Sequence, residues 1–186
     1  KDVKYYRKSG GGVTLSGGEP LIWIDFCEEL LRDCYNSNIH TAVETTGCIP
    51  EKNIDRVKDY VDVFLYDIKS MDSGRHRILT GMPNDLVLRL RRDGKNVVMR
   101  IPLIPEKNFF RTELEKMFEL ADELEIEEVD IMPYHNLGQM KYERLCRPYE
   151  LAGLETLKFA KDFDGQMEQY KDIFDRHKHI RVMIGG

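Results

Sequence analysis

A short stretch near the start of the chain, SGGGVTLSGGEP at residues 9–20, combines glycines and an acid in a way that suits a charged small ligand. Glycine lacks a Cβ and reaches positive φ freely, so its backbone can approach a ligand closely. The gap from Gly12 to Gly17 fits a phosphate loop, but Gly18 and Glu19 stand where that loop needs Lys and Ser or Thr. No GxGxxG pattern follows a predicted strand, which excludes the dinucleotide fingerprint. The segment therefore predicts a site for a cationic group, such as an amino acid's ammonium, held by Glu19 and nearby backbone carbonyls.

Further polar residues follow the ends of later predicted strands. In parallel α/β barrels the carboxyl ends of the strands converge on one face, where ligands bind. Acids, a lysine, an arginine and a histidine would then lie together at one end of the barrel. That set suits a zwitterion with an attached sugar, because acids bind an ammonium and hydroxyls whereas cations bind a carboxylate. The residues are Glu44 and Thr45 after the second strand, Asp67 and Lys69 after the third, Arg100 within the fourth, and His135 after the fifth.

Each of these residues also has a simpler interpretation. An ordinary ion pair at a strand end would account for Asp67 and Lys69, and a lone His135 is more often a hydrogen-bonded surface residue. Clustered polar groups mark functional sites only in a statistical sense. The occurrence of polar residues at five successive strands nevertheless favours a shared binding site.

Between these residues, short apolar runs alternate with amphipathic segments. Near-continuous apolar runs such as VDVFLYDI are typical of strands buried in a parallel sheet that helices cover. No repeat, low-complexity tract or long linker interrupts the alternation, so we predict an α/β fold and a single domain over residues 1–186. The predicted strands are Val13–Leu15, Ile39–Val43, Val61–Tyr66, Val97–Ile104, Val129–Met132 and Ile180–Ile184.

Helical periodicity predicts the intervening helices. The first has Trp23, Cys27, Leu30, Leu31 and Cys34 on one face, and the longest later one has Leu114, Met117, Phe118, Ala121 and Leu124. Thr112 and Glu115 have the spacing of a capping box at the start of that later helix. Shorter helices are predicted at Glu51–Tyr60, Asn84–Arg92 and Gln166–His177.

The composition excludes several classes of function. The chain carries 28 basic and 33 acidic residues, a net charge of −5, which argues against nucleic acid as the main partner. No apolar run approaches the ~18 residues of a membrane-spanning helix. The four cysteines have no CxxC or CxxxCxxC spacing, which favours free thiols in a reducing cytoplasm. They are Cys27, Cys34, Cys48 and Cys146.

Five motifs resemble those of a known family, in the family's order. They are GGVTLSGGEP at 11–20, VETTG at 43–47, LYDIK at 65–69, RIPLIP at 100–105 and MPYHNLGQMKY at 132–142. The family is the radical S-adenosylmethionine activating enzymes of glycyl radical enzymes, to which pyruvate formate-lyase activating enzyme belongs. The resemblance implies a partial TIM-type (β/α)6 barrel, here lacking its first strand and cluster-binding loop. In that family a [4Fe-4S] cluster reduces S-adenosylmethionine, and the 5′-deoxyadenosyl radical removes a hydrogen atom from a glycine of the partner enzyme.

The resemblance also implies which residues bind S-adenosylmethionine. Gly17, Gly18 and Glu19 match the segment that holds the methionine amino group, in agreement with the inference from charge. Three later residues match contacts to polar groups of the cofactor. The full implied set is Gly17, Gly18, Glu19, Glu44, Thr45, Lys69, Arg100 and His135.

A monovalent cation site beside the cofactor is implied by three of the matching positions. Glu44 and Thr45 match an acidic-Thr pair, and Asp67 matches the acid of the family's DxK strand. In the relatives associated with that cation, the position of Glu44 is an aspartate.

One family motif does not occur in the chain. CxxxCxxC supplies the three thiolates of the cluster, and no such spacing is found here. In the family it lies on a loop after the first barrel strand. We therefore expect the chain to be an N-terminally truncated piece, inactive by itself, with the [4Fe-4S] cluster bound by the missing segment. The implied partners are a glycyl radical enzyme and an electron donor such as flavodoxin, in the cytoplasm and without nucleic acid or membrane.

Two other functions remain open on the sequence. Another radical S-adenosylmethionine enzyme, acting on a small molecule, would keep the same pocket, although LGQMKY at 137–142 resembles the activating enzymes specifically. A non-catalytic binding module would keep the cofactor or partner surface without a cluster. The cofactor supplies the hard chemistry in such enzymes, so no residue of this chain is assigned a catalytic role.

Overall fold

The computed structural model describes residues 3–71, 74, 85–144, 146–149, 151–157 and 163–185. Six strands among these residues form a sheet in the order β1-β2-β3-β4-β5-β6. They are β1 (Gly12–Leu15), β2 (His40–Thr45), β3 (Val63–Asp67), β4 (Val97–Leu103), β5 (Glu128–Pro133) and β6 (Arg181–Ile184). Every predicted strand is present, with each end within two residues of its predicted position, and the α/β prediction is confirmed.

The first described helix precedes β1, and the other described helices lie between the strands. The helices are α1 (Val3–Ser9), α2 (Ile24–Asn36), α3 (Glu51–Val57), α4 (Asp85–Arg92), α5 (Arg111–Glu123), α6 (Gln139–Arg144), α7 (Phe163–Glu168) and α8 (Lys171–Arg176). Short 3-10 turns cover Pro20–Ile22, Lys58–Tyr60 and Asn136–Gly138. The helix predicted over 51–60 is therefore an α-helix that tightens into a 3-10 turn, and the one predicted over 166–177 overlaps two separate helices. Asn84, the predicted start of α4, lies outside the described residues.

Two details of the predicted helices differ from the structure. The N-cap of α5 is Phe110, with no side-chain cap, so Thr112 lies inside the helix and the capping box does not form. Trp23 is the N-cap of α2 and is 72% exposed, whereas Cys27 on the same predicted face is buried. Helical periodicity placed Trp23 on the buried face, but the helix begins only after it.

The chain divides into two compact units, Lys1–Arg100 and Ile101–Gly186. The prediction of a single domain is not tested by this division and stays a prediction. In the first unit β1 to β4 run parallel, and the register places Asp67 of β3 opposite Arg100 of β4. The core of this unit consists of side chains that are fully buried, among them Leu21, Leu31, Ile54, Phe64 and Tyr66.

Close contact of β1 with β2 depends on a glycine. A Cβ added at Gly12 would lie 1.8 Å from the carbonyl oxygen of His40. These two residues are register partners in the parallel ladder. Any other residue at position 12 would push β1 away from β2 and from the polar residues that follow it.

In the second unit β5 and β6 run parallel, with Glu128 opposite Arg181. Helix α5 packs against α8, where the ring centroids of Phe118 and Phe174 are 5.3 Å apart. Among the residues described in both units, no helix is both long enough and apolar enough to cross a membrane.

Candidate functional site

Strand alternation separates the predicted site residues onto two faces of the sheet in the first unit. Successive side chains of a strand point to opposite faces. Thr45 lies on the fully buried face and is 2% exposed, while the side chain of its neighbour Glu44 is 31% exposed on the other face. Register places Asp67 and Arg100 side by side, and both are half-buried. Glu44, Asp67 and Arg100 therefore share the less buried face.

These three side chains form a compact charge cluster. Arg100 Nη1 lies 2.8 Å from Glu44 Oε1, and Arg100 Nε lies 3.6 Å from Asp67 Oδ1. The Arg100 side chain is only 14% exposed, so solvent screens these ion pairs weakly. The hydroxyl of Ser16 donates to the second carboxylate oxygen of Glu44. Two carboxylates and one guanidinium leave the cluster with an excess of negative charge.

The Glu19 carboxylate is held by the protein on the opposite face. Its Oε2 accepts hydrogen bonds from the Thr45 hydroxyl at 2.9 Å, the Thr46 backbone N–H at 3.0 Å and the Thr46 hydroxyl at 3.2 Å. Its Oε1 accepts from the backbone N–H of Leu21 at 3.4 Å and so caps the 3-10 turn that follows. The charge predicted to meet a cationic ligand is present beside the glycines, but its hydrogen bonds are made to protein donors.

The loop after β1 is thus fixed at both ends, with two glycines between. Ser16 is tied to β2 through Glu44, and Glu19 is tied to the end of β2 through Thr45 and Thr46. Gly17 has a φ of +138°, which residues with a Cβ rarely adopt. A Cβ added at Gly17 or Gly18 would meet no atom within 4 Å. The backbone of this pair therefore borders open space.

A cavity of about 460 Å³ opens beside the same loop, between β1 and the start of α2. Its lining includes Leu15, Ser16, Trp23 and Phe26. The volume lies within the ~300–1,000 Å³ of typical small-molecule sites. Trp23 and Phe26 are 72% and 65% exposed, so one wall of the cavity is apolar and open to solvent.

Lys69 and His135 lie on two further strand exits. Lys69 follows Asp67 by two residues and is half-buried. His135, in the second unit, precedes the 3-10 turn Asn136–Gly138, and its buried Nδ1 has no hydrogen-bond partner among the described residues. Buried polar atoms are usually hydrogen-bonded, and a bound ligand could supply the partner of this nitrogen. Beside it in sequence, the Tyr134 hydroxyl lies 3.0 Å from that of Tyr149.

The family resemblance implies three bound groups, namely S-adenosylmethionine, a monovalent cation and an iron-sulfur cluster, and the described residues fit them to different degrees. In the first unit, the open backbone at Gly17 and Gly18 fits a ligand such as S-adenosylmethionine. In the second unit, the buried Nδ1 of His135 fits a contact to a ligand. The predicted cation ligands fit poorly, because Thr45 is on the opposite face from Glu44 and Arg100 stands by both acids. An iron-sulfur cluster does not fit the cysteines in the described part of the chain, where no group of three His, Cys, Asp or Glu residues could hold a metal. Two of these thiols are buried, one is half-buried and one is exposed.

The sequence predicts no role for two further residues of the site. Ser16 and Thr46 both lie within motifs that match the family, GGVTLSGGEP and VETTG. The signal for Ser16 was its place directly after the apolar end of β1, next to the glycine pair. For Thr46 the signal was a second hydroxyl beside Thr45, since a carboxylate can accept several hydrogen bonds.

Comparison with known proteins identifies the family. The sequence model described as the Radical SAM superfamily matches residues 1–121, well over half of the chain. The chain belongs to the radical SAM superfamily. The trans-4-hydroxy-L-proline dehydratase activating enzyme of Clostridioides difficile is 38% identical over 193 residues, covering 100% of this chain and 62% of that protein. The pyruvate formate-lyase-activating enzyme of Staphylococcus epidermidis is 36% identical over 162 residues, which cover 81% of this chain and 64% of that protein. The chain spans less than two thirds of the length of these relatives.

Solved structures agree with this membership. A domain of pyruvate-formate lyase-activating enzyme from Bacteroides vulgatus has a TM-score of 0.68 and 28% identity, covering 95% of this chain and 99% of that one. Streptococcus suis SuiB bound to S-adenosylmethionine has a TM-score of 0.68 at 17% identity, covering 99% of this chain and 40% of that one, and supports the fold alone. The predicted α/β fold of the radical S-adenosylmethionine type and the resemblance to activating enzymes are both confirmed.

Proposed function

We propose that this chain is the S-adenosylmethionine-binding part of an activating enzyme that generates a glycyl radical on a partner enzyme. The observation that carries the proposal is the similarity to an activating enzyme along the whole chain, at 38% identity. The relatives are named for the activation of enzymes as different as a dehydratase and pyruvate formate-lyase. That range supports the class of partner and leaves pyruvate formate-lyase as one member of it.

The geometry supports a cationic ligand at the glycine loop. The methionine ammonium would meet the open backbone of Gly17 and Gly18, with the negative charge of Glu19 beside it. The remaining proposed contacts to S-adenosylmethionine are Thr45, Lys69, Arg100 and His135.

The residues that are present indicate which part of the reaction the protein supplies and which part the cofactor supplies. Bound S-adenosylmethionine supplies the radical chemistry once an electron is delivered through a [4Fe-4S] cluster. This chain's own residues bind and orient the cofactor. The described cysteines do not fit a cluster, so we propose that this chain by itself binds the cofactor without cleaving it. A donor such as flavodoxin and a glycyl radical enzyme complete the proposed system, in the cytoplasm.

Isothermal titration of S-adenosylmethionine into the chain and four variants tests the site. Gly18 tolerates a Cβ without contact, so Gly18→Ala and Gly18→Val should fold normally. The valine would fill space proposed for the ligand and lower the affinity about tenfold or more, the effect of ~1.4 kcal/mol. Lys69→Ala should also weaken binding. Lys52→Ala, an exposed position on α3, is the matched control and should leave affinity unchanged.

Thermal unfolding midpoints show whether any loss of binding reflects the site or the fold. Equal affinities in the wild type, Gly18→Val and Lys69→Ala would contradict the site assignment. Failure of the folded wild type to bind S-adenosylmethionine at millimolar concentration would contradict the proposed function itself.

A further inference from the structure

We infer that Arg100 takes the place of a monovalent cation between Glu44 and Asp67, so that the folded protein binds neither K⁺ nor Na⁺ there. The inference concerns the chain without any ligand and stands whether or not the proposed function is correct. It rests on how three neighbouring strands place one guanidinium and two carboxylates on the same face.

The positions of the oxygens argue against a second cation. Glu44 uses Oε1 for Arg100 Nη1 at 2.8 Å and Oε2 for the hydroxyl of Ser16. Asp67 Oδ1 lies 3.6 Å from Arg100 Nε. A metal ion on these oxygens would lie close to the guanidinium. Relative to the same two carboxylates without Arg100, repulsion between unit charges ~4 Å apart would weaken binding roughly a thousandfold at an effective dielectric constant of ~20.

The hydroxyl of Thr45, the third predicted cation ligand, is not available on this face. Thr45 points to the buried side of the sheet, where its hydroxyl donates to Glu19 and accepts from the Gly47 backbone N–H at 3.0 Å. A cation beside Glu44 and Asp67 would therefore lack that oxygen. Alkali cations need several oxygen ligands to replace their water, so the loss adds to the repulsion by Arg100.

Side-chain length explains why a glutamate stands at position 44. Glu44 is on β2 and Arg100 on β4, with β3 between them. Adjacent strands are ~4.8 Å apart, so the two backbones are separated by roughly 10 Å. A long acid and a long base can meet over β3, whereas an aspartate would fall short by about one methylene. The longer acid thus favours the internal ion pair over a bound metal ion.

Thermal unfolding in three chloride salts of equal ionic strength tests this inference. The wild type should have the same midpoint in KCl, NaCl and tetramethylammonium chloride. Arg100→Gln leaves two carboxylates facing each other, and its midpoint should rise saturably with K⁺ or Na⁺ only. At 100 times the dissociation constant the rise would be roughly 5 to 11 °C for a chain of this size.

Two further variants separate this effect from general charge loss. In Glu44→Gln/Arg100→Gln the selective rise should disappear, because one of the two carboxylates is gone. Arg89→Gln is the matched control, since Arg89 also stands between two acids, Glu51 and Asp55. Those acids are 78% and 46% exposed, so this variant should respond alike to all three salts.

Several results would overturn the inference. A saturable rise of the wild-type midpoint in K⁺ or Na⁺, absent in tetramethylammonium, would show that a cation binds despite Arg100. The same midpoint for Arg100→Gln in all three salts would show that the acids do not accept one. An Arg100→Gln chain that stays unfolded in all three salts counts against it as well, because K⁺ or Na⁺ should restore folding.

Discussion

Replacing Glu19 by alanine should destabilise the protein even before any ligand is considered. The substitution removes the acceptor of three hydrogen bonds of 2.9 to 3.2 Å from Thr45 and Thr46. It also removes the weaker cap on the Leu21 N–H at 3.4 Å. The donors lie at the buried end of β2, where water replaces the lost acceptor poorly.

The expected magnitude follows from the donors left behind. A hydrogen bond to a charged group contributes about 1.5 to 3 kcal/mol. The Thr46 hydroxyl can rotate toward another acceptor, but the Thr46 backbone N–H is fixed and the Thr45 side chain is 2% exposed. Counting these two at the lower end of that range, Glu19→Ala should lower the free energy of unfolding by about 3 kcal/mol. The unfolding midpoint would then fall by roughly 6 to 12 °C.

Urea unfolding followed by circular dichroism measures this loss, since the single tryptophan, Trp23, is 72% exposed and a poor reporter. Glu29→Ala, an exposed acid on α2, serves as the control and should change stability by no more than about 0.5 kcal/mol. A double-mutant cycle with Thr45→Val should give a coupling of about 1 to 2 kcal/mol with Glu19.

Two outcomes would refute this account of Glu19. If Glu19→Ala unfolds within about 0.5 kcal/mol of the wild type, its hydrogen bonds do not stabilise the loop. If Glu19→Ala and Thr45→Val are additive, the contact between these side chains carries no energy. Neither outcome would affect the Gly18→Val test of cofactor binding, because a Cβ added at position 18 meets no atom within 4 Å.

Two glycine substitutions and the labelling rates of two cysteines give further tests. Gly12→Ala should lower the free energy of unfolding, measured in urea, by about 3 kcal/mol or more, because its Cβ would lie 1.8 Å from the His40 carbonyl oxygen. Gly138→Ala is the control and should lower it far less, because its Cβ meets nothing within 4 Å. Burial first, and then the charge of Glu19, raise the pKa of the Cys27 thiol, so iodoacetamide at pH 8 should alkylate it much more slowly than exposed Cys146. A raised pKa in the folded state also means that this thiol's contribution to stability is complete below its ordinary pKa and is lost as the pH rises through the raised value. Equal labelling of the two cysteines by mass spectrometry would contradict the burial of Cys27.

The strands were predictable because their apolar runs are short, β-branched and bounded by turn residues. The run before Asp67 is an example, since VFLYD carries both the buried strand and the polar residue at its end. Helix starts were less predictable. The apolar periodicity that includes Trp23 continues through the N-cap, where the chain is no longer helical and the ring points to solvent.

The site residues were predictable as a set, but their pairing was not. Glu19 was recognised as an acid beside glycines, yet its partners Thr45 and Thr46 lie 26 and 27 residues away. The contact of Arg100 with Glu44 depends on the register of three strands, which the sequence does not state. The separation of Glu44 from Thr45, in contrast, follows from the two-residue period of any strand.

The loop from Ser16 to Glu19 has a consequence for how a ligand would be held. Its ends are attached to β2 on opposite faces of the sheet, by Glu44 on one and by Thr45 and Thr46 on the other. Gly17 and Gly18 would be the most mobile residues of a free loop, and here folding itself restricts them. The loss of backbone entropy is therefore incurred when the protein folds rather than when a ligand arrives. A small molecule that contacts these two residues meets a surface already in its binding conformation.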